Sequence, residues 1–332
     1  MENSGPSLKE EFRLTKFGLA YPDPDVFVRS QWHQSRWFYL IWRLFWFLWH
    51  VGWIIASGIT TRNSKARFPE EGAKWFIYFT NMTLLLTTLT STADLTTVLY
   101  VIALRGGTVL DLPRTIQKQC TAVSSQDGSS LDEEIIFRGQ FTVDKGLKMH
   151  TSTWYLKLLW LMYNVISSCN IVITVVYWVV GYHAASSDVV SVEVHTINTA
   201  FIILNLMVTA MPVHMLHFIY PTIYAALYCL FNYIYTAAGG TDLSGRAFIY
   251  SFIDWGKPFP TAVVVTLGIL LAVPVGHVLL FAIYTLRVFV YSKVNSASYS
   301  LRDSCIRLTN RTADVSSANG IENIEMTNST PL

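Results

Sequence analysis

The sequence predicts an all-α, polytopic membrane protein, with six transmembrane helices and both termini cytosolic. Three observations predict it. The 332 residues are 52% apolar and 14% charged, with a mean hydropathy of +0.37; a soluble chain has roughly 45–50% and 25%. Six apolar segments approach the length of about 20 residues that a bilayer core requires of a helix. Lys and Arg crowd the segments on one side of these spans and are sparse on the other.

In order, the expected spans are residues 37–59, 75–95 with an extension to 104, 158–182, 196–213, 219–238 and 261–290. Only a short stretch around His214–His217 separates the fourth from the fifth, so they form a tight hairpin. Pro221 fits the first turn of the fifth span, where proline is tolerated. In the sixth, Pro274 is expected to kink the helix. With the N-terminus inside, Lys9, Arg13, Lys16 and Arg29 are cytosolic. So are Arg105, Arg114, Lys118, Lys145 and Lys148 of the second loop, and Arg287, Lys293 and Arg302 of the tail. The outer loop 183–194 has no Lys or Arg.

This divides the chain into a cytosolic N-terminal segment 1–36, a six-helix transmembrane domain 37–293 with a cytosolic loop 105–153, and a disordered cytosolic tail 294–332. Ser7-Leu8-Lys9-Glu10 reads as a capping box. Leu8, Phe12, Thr15 and Leu19 follow at helical spacing, which suggests a short amphipathic helix on the cytosolic leaflet. Sequons at Asn310 and Asn328 fall in the cytosol and one at Asn81 in a helix, so no glycosylation is expected.

Several classes are excluded. A net charge of +2 gives no footprint for nucleic acid. The first 30 residues are polar, so no cleavable signal is read. Cys120, Cys169, Cys229 and Cys305 lack metal-ligand spacing. His214 and His217 stand at i, i+3 without an acidic or Cys neighbour in the sequence, so no metal is expected. There is no Gly-x-Ser-x-Gly, Walker loop, His-Glu-x-x-His or Cys-x-x-Cys, and no cofactor is expected.

Polar residues inside a bilayer cost several kcal/mol unless paired, so each needs a reason. Residues three and four apart share a helix face. The second span carries Thr80, Thr83, Thr87, Ser91 and Asp94 on one stripe, with Asn81 at its edge. The third carries Asn164, Ser167 and Ser168. The fourth carries His195, Asn198 and Thr199, with Asn205 two turns below. The fifth carries Tyr220, Tyr224, Tyr228, Asn232 and Tyr235. His277 of the last span can face the same interior. Two readings stay open. The stripes are glue between helices, or they line a polar cavity for a substrate or lipid headgroup, with His195 and Asn198 the leading candidates. In the first span Trp42, Trp46, Trp49 and Trp53 form an indole ridge along the helix. Arg43 is expected to snorkel to the interface, and His50 to need an intramembrane partner.

The run from Asn198 through Pro212, then His217-Phe218-Ile219-Tyr220-Pro221, Ala238-Gly239-Gly240-Thr241-Asp242 and Ile253-Asp254-Trp255-Gly256-Lys257-Pro258, resembles the rolling stone family of multi-pass membrane proteins. So do Leu8 to Leu19 and Tyr78-Phe79-Thr80-Asn81-Met82-Thr83. The resemblance covers most of residues 7–290. It implies a role in myoblast fusion and muscle development, at the plasma membrane rather than the endoplasmic reticulum.

More distantly, the chain is similar to the androgen-induced membrane hydrolases, six-span proteins that cleave fatty acid esters of hydroxy fatty acids with a threonine and a histidine. Laid on their pattern, the threonine position falls on Tyr78, with Thr80 two residues away. The catalytic histidine position falls on Asn198, and His195 matches a preceding histidine. Asn198 cannot act as a base, and a nucleophile needs one within hydrogen-bond reach. Two functions therefore remain in view. One is a non-enzymatic membrane protein of cell fusion, with the bilayer and a lipid ligand or membrane protein as partners. The other is an intramembrane lipid-ester hydrolase with Thr80 or Thr83 as nucleophile and His195 as base.

Overall fold

The computed structural model describes residues 8–32, 35–65, 69–105, 153–181, 189–256 and 259–325. The loop 105–153, apart from its ends, lies outside them. The described residues form helices and connecting turns, as the sequence predicts. The α-helices are α1 (Leu8–Glu11), α2 (Arg36–Thr60), α3 (Phe79–Arg105), α4 (Trp154–Val176), α5 (Val189–Val192), α6 (Asn198–Val208), α7 (Ile219–Ala237) and α8 (Phe259–Glu325). A π-helical stretch, Glu193–Ile197, joins α5 to α6 without a break.

Among the described residues five stretches are long and apolar enough to cross a membrane: Trp37–Asn63, Phe79–Ala103, Trp154–Val179, Val189–Val208 and Pro260–Val294. The remaining expected span, the fifth at 219–238, is the 19-residue α7, whose tyrosines and Asn232 dilute its hydropathy. The chain divides into two compact units, Met1–Tyr284 and Thr285–Leu332, the division falling within α8.

In the first unit α4 is the axis. It is buried along most of its length, from Leu156 to Ile173, and packs against α3, α6 and α7. Its polar residues turn inward to partners, so its apolar surface can be generic. The Ser35 hydroxyl caps α2 by accepting from the Phe38 amide. In α3, Thr87, Thr88, Thr90 and Thr92 donate to carbonyls one turn back. Back-bonding of this kind satisfies hydroxyls that would otherwise be costly in lipid.

Several boundaries differ from the sequence reading. Trp75 lies in a 3₁₀ stretch, Pro69–Ile77, ahead of α3. The fourth span starts earlier, at Val189, and ends at Val208 rather than 213. Residues 209–214 run extended beside the N-terminal segment. The Gln31 amide donates to the Val208 carbonyl at 2.8 Å, and the Ala210 amide to the Arg29 carbonyl at 3.1 Å. Pro212 cannot donate within a helix, and these cross-bonds supply what the broken helix loses. Among the described residues of the N-terminal segment, the expected amphipathic helix is limited to Leu8–Glu11 and a 3₁₀ turn, Leu14–Phe17, with a second 3₁₀ turn at Pro24–Phe27.

The last helix stays continuous through Pro274. It runs on to Glu325, where the sequence reading placed a mobile tail from residue 294. Residues 295–325 contain no proline and a single glycine, Gly320, so nothing in them stops a helix. In the second unit, Lys293 Nζ lies 5.6 Å from the centre of the Phe289 ring.

Candidate functional site

Three polar centres are built inside the first unit. The first is a cavity of about 590 Å³ between the start of α3, the end of α4, the α5–α6 junction, α7 and the loop 238–256. Thr80, Asn81, His195 and Tyr228 line it, as does the half-buried Cys229. The loop is its roof, and the residues of the Ala238–Asp242 motif explain how the roof is held. Gly239 has φ +83°, a conformation that favours glycine. A Cβ on Gly240 would lie 2.4 Å from the Tyr235 ring. The Tyr235 hydroxyl donates to the Thr241 carbonyl at 2.9 Å. The Asp242 carboxylate accepts from the Ser244 and Arg246 amides and from Arg246 Nε. Lys74 donates to the Thr241 hydroxyl and the Asp242 carbonyl. Trp255 Nε1 donates to Asn232 Oδ1 at 2.8 Å, tying the far end of the loop to α7.

From this roof Tyr250 reaches the start of α3. Its hydroxyl oxygen accepts from the Phe79 amide at 3.0 Å and lies beside the Thr80 side chain. Burial raises the Tyr250 pKa, and the Thr80 and Phe79 donors oppose the rise. The Tyr78 hydroxyl accepts from the Leu243 amide, and burial pushes its pKa up to about 12. Both phenols therefore stay protonated. The Tyr228 hydroxyl donates to the Ile77 carbonyl at 2.9 Å.

His195 stacks on Tyr177 with ring centres 3.9 Å apart. Its Nδ1 donates to the Ser191 carbonyl, one turn back, at 2.7 Å. In the neutral ring this leaves the lone pair on Nε2. The Thr174 hydroxyl of α4 bonds the His195 carbonyl and meets Thr199, which fixes the α6 end against α4.

Other candidates sit elsewhere. Thr83 is fully buried and outside the cavity lining. Asn198 is 1% exposed and donates to the Val194 carbonyl of its own helix turn at 3.3 Å. Tyr224 packs against Phe79.

The second centre surrounds Arg43. Instead of snorkelling, Arg43 is buried and donates to Asp94 and to Asn205, each at 2.9 Å. It also donates to the Tyr39 hydroxyl. Trp42 Nε1 shares the Asn205 oxygen at 3.2 Å. A carboxylate within reach on α3 outcompetes the longer path to the interface. His50, two turns along α2 from Arg43, pairs through Nδ1 with Ser91 at 2.9 Å. The four indoles are in contact along α2, and Trp46 meets Phe201 of α6.

The third centre gathers the hairpin histidines under the N-terminal segment. His214 Nδ1 donates to Glu11 Oε2 at 3.2 Å, and the Met215 amide to the same oxygen. Burial alone would raise the Glu11 carboxyl, but His214, the Met215 amide and Lys16 hold it below its ordinary value. His217 accepts from Asn164 at Nδ1 and donates to the Gly18 carbonyl from Nε2. Burial, helped by His214, drives its pKa from 6.5 down to about 3. His277 accepts from Ser168 at Nδ1 and donates to the His214 carbonyl from Nε2. Among the described residues no group of three or more His, Cys, Asp or Glu could hold a metal ion.

The structure thus brings Thr80, Asn81, Tyr228 and His195 to one cavity. It sends Asn205 to Arg43, and Asn164 and His277 to the hairpin. Tyr250, Ser191 and Tyr177 were missed by sequence reading. Tyr250 stands between the Ala238–Asp242 and Ile253–Pro258 motifs, and a loop has no periodicity to show which way a side chain turns.

A family model described as "Protein rolling stone" matches residues 132–304. The protein rolling stone of Drosophila melanogaster is 29% identical over 287 residues, 85% of this chain and 90% of that protein. No solved structure matches.

Proposed function

This chain belongs to the rolling stone family, and from that premise we propose that it is a non-enzymatic multi-pass membrane protein of cell fusion, acting in myoblast fusion and muscle development. One observation carries the non-enzymatic part. The two positions that match the hydrolase dyad are occupied by residues with structural employment. Asn198 is bonded to its own helix, and Tyr78 holds the roof through the Leu243 amide. A dyad needs a nucleophile facing a base, and these positions supply neither.

The same reading takes α7 as a sixth span, both termini as cytosolic and the plasma membrane as the site of action. The distribution of Lys and Arg supports it. Residues 1–36 form the cytosolic N-terminal segment, 37–293 the membrane domain and 294–332 the tail. Epitope tags at both ends should stain only after cells are permeabilised. Staining of either tag on intact cells refutes that topology.

A specific observation favours a second reading. Thr80 and His195 line one cavity, and Nδ1 donation fixes the lone pair on His195 Nε2. As a hydrolase, Thr80 Oγ1 would attack an ester carbonyl while Nε2 takes its proton, and the departing alcohol would carry that proton away.

One experiment separates the two. Myoblasts lacking the protein are rescued with the wild type or with Thr80→Val/His195→Ala, and fusion is scored. Equal rescue, with no ester turnover by purified protein, supports the non-enzymatic reading. Turnover that vanishes with the double variant, together with lost rescue, establishes the hydrolase instead.

A further inference from the structure

The cavity lining is mixed. Thr80, Asn81, Ser191 and Ser251 bring hydroxyls and an amide to it, and the roof loop also brings the apolar Leu243, Ile249, Phe252 and Ile253. Val172 and Val176 of α4, Ala225 of α7 and Ile269 of α8 add an apolar wall. A volume of about 590 Å³ falls within the range of about 300–1,000 Å³ typical of small-molecule sites.

Charge narrows the headgroup. Among the described residues Arg246 alone brings a formal charge to the lining, and its Nε is already paired with Asp242 Oδ2 at 2.6 Å. An ionic headgroup entering this space would leave water without an unmatched counter-charge to receive it, which is costly. A headgroup of hydroxyls and ether or ester oxygens matches the donors and acceptors present.

Part of the wall lies close to the lipid. Cys229 and Ile269 line the cavity and are themselves half-buried. Leu230 and Leu267, one and two residues away on the same helices, are 54% and 53% exposed, the surface a bilayer covers.

From the volume, the uncharged hydroxyls and amide, and the apolar wall near the lipid, we infer that the cavity is a binding site for a neutral single-chain amphiphile of the monoacylglycerol type. The hydroxylated head lies under the roof and the chain lies against Val172, Val176 and Ile269. Binding of this kind requires neither a fusion role nor turnover.

Cys229 reports on the site. Cys169 is fully buried, and serine replaces Cys120 and Cys305. The protein is placed in phosphatidylcholine nanodiscs, and alkylation of Cys229 by N-ethylmaleimide is followed by mass spectrometry. The probe is 1-O-oleylglycerol, an ether that no esterase cleaves, so hydrolysis cannot confuse the result. At ten times its dissociation constant it should slow alkylation about tenfold. Oleate, with the same chain and a negative head, and hexadecane, with no head, should leave the rate unchanged. An unchanged rate with the ether overturns the site. Equal protection by oleate overturns the neutral headgroup, and equal protection by hexadecane overturns the role of the hydroxyls and amide. None of these outcomes alters the rescue experiment, so the two readings fail separately.

Discussion

Arg43 Nη1 donates to Asp94 Oδ2 at 2.9 Å, with only 3% and 2% of the two side chains exposed. The pair clamps α2 to α3 in a place where neither charge can reach water. Removing one member leaves a buried charge unmatched, which costs about 3–5 kcal/mol, whereas removing both can be nearly neutral. Arg43→Met and Asp94→Leu should each lower the unfolding temperature in detergent strongly. The double variant should recover most of that loss. Additive losses in the double-mutant cycle would show that the two residues act independently.

Acid should loosen the hairpin centre in a defined window. His217 has its pKa depressed to about 3 from 6.5. The unfolded chain takes up this proton as pH falls below 6.5 and the native state does not. Stability is therefore full above 6.5 and falls towards 3, at up to about 1.4 kcal/mol per pH unit. Glu11 adds in the same direction, because its carboxyl is held below 4.5. Its contribution is present above 4.5 and is lost as pH falls through the depressed value. His217→Gln should flatten the upper part of the curve, between 6.5 and 4.5, and leave the Glu11 part. A wild-type curve that is flat from pH 7 to 4 would contradict this.

The two helix periodicities explain what could be read in advance. Thr83, Thr87, Ser91 and Asp94 fall on one face of α3, and the structure buries that face. Spacing identifies such a face but not what it meets. Hence Asp94 was placed on a stripe while Arg43, four residues from Tyr39 on another helix, was sent to the interface. His195 and Asn198, adjacent on one stripe, part company because a π-helical stretch, Glu193–Ile197, resets the angle between them. The roof was legible as a motif, Ala238 to Asp242, but not as architecture. Its contacts to Lys74, Tyr78 and Thr80 join residues more than 160 positions apart.

Gly240 makes a prediction that depends on packing alone. The Cβ of Gly240→Ala would meet the Tyr235 ring at 2.4 Å. The ring must move, and its bond to the Thr241 carbonyl goes with it. Overpacking of this kind costs about 1–3 kcal/mol. The loop 238–256 should become more susceptible to protease while the helices stay intact. Adding Tyr235→Ala should relieve the clash and restore part of the stability. If Gly240→Ala alone leaves cleavage unchanged, Tyr235 does not anchor the roof.

Tyr250 gives the sharpest test of how the roof and α3 are joined. Its oxygen accepts the Phe79 amide, one of the helix-start donors that have no partner within the helix. Tyr250→Phe keeps the ring against Tyr78 and Phe252 and removes only the oxygen. A buried amide left without an acceptor costs about 1–3 kcal/mol. The loss should appear locally as faster hydrogen exchange at the Phe79 and Thr80 amides, with exchange in the middle of α4 unchanged. The variant also removes the Tyr250 oxygen from beside the Thr80 hydroxyl without touching His195. If Thr80 serves only as a strut, fusion in rescued myoblasts should fall no further than the stability loss explains. Ester turnover appearing in purified Tyr250→Phe would instead mean that Tyr250 holds a latent nucleophile in check.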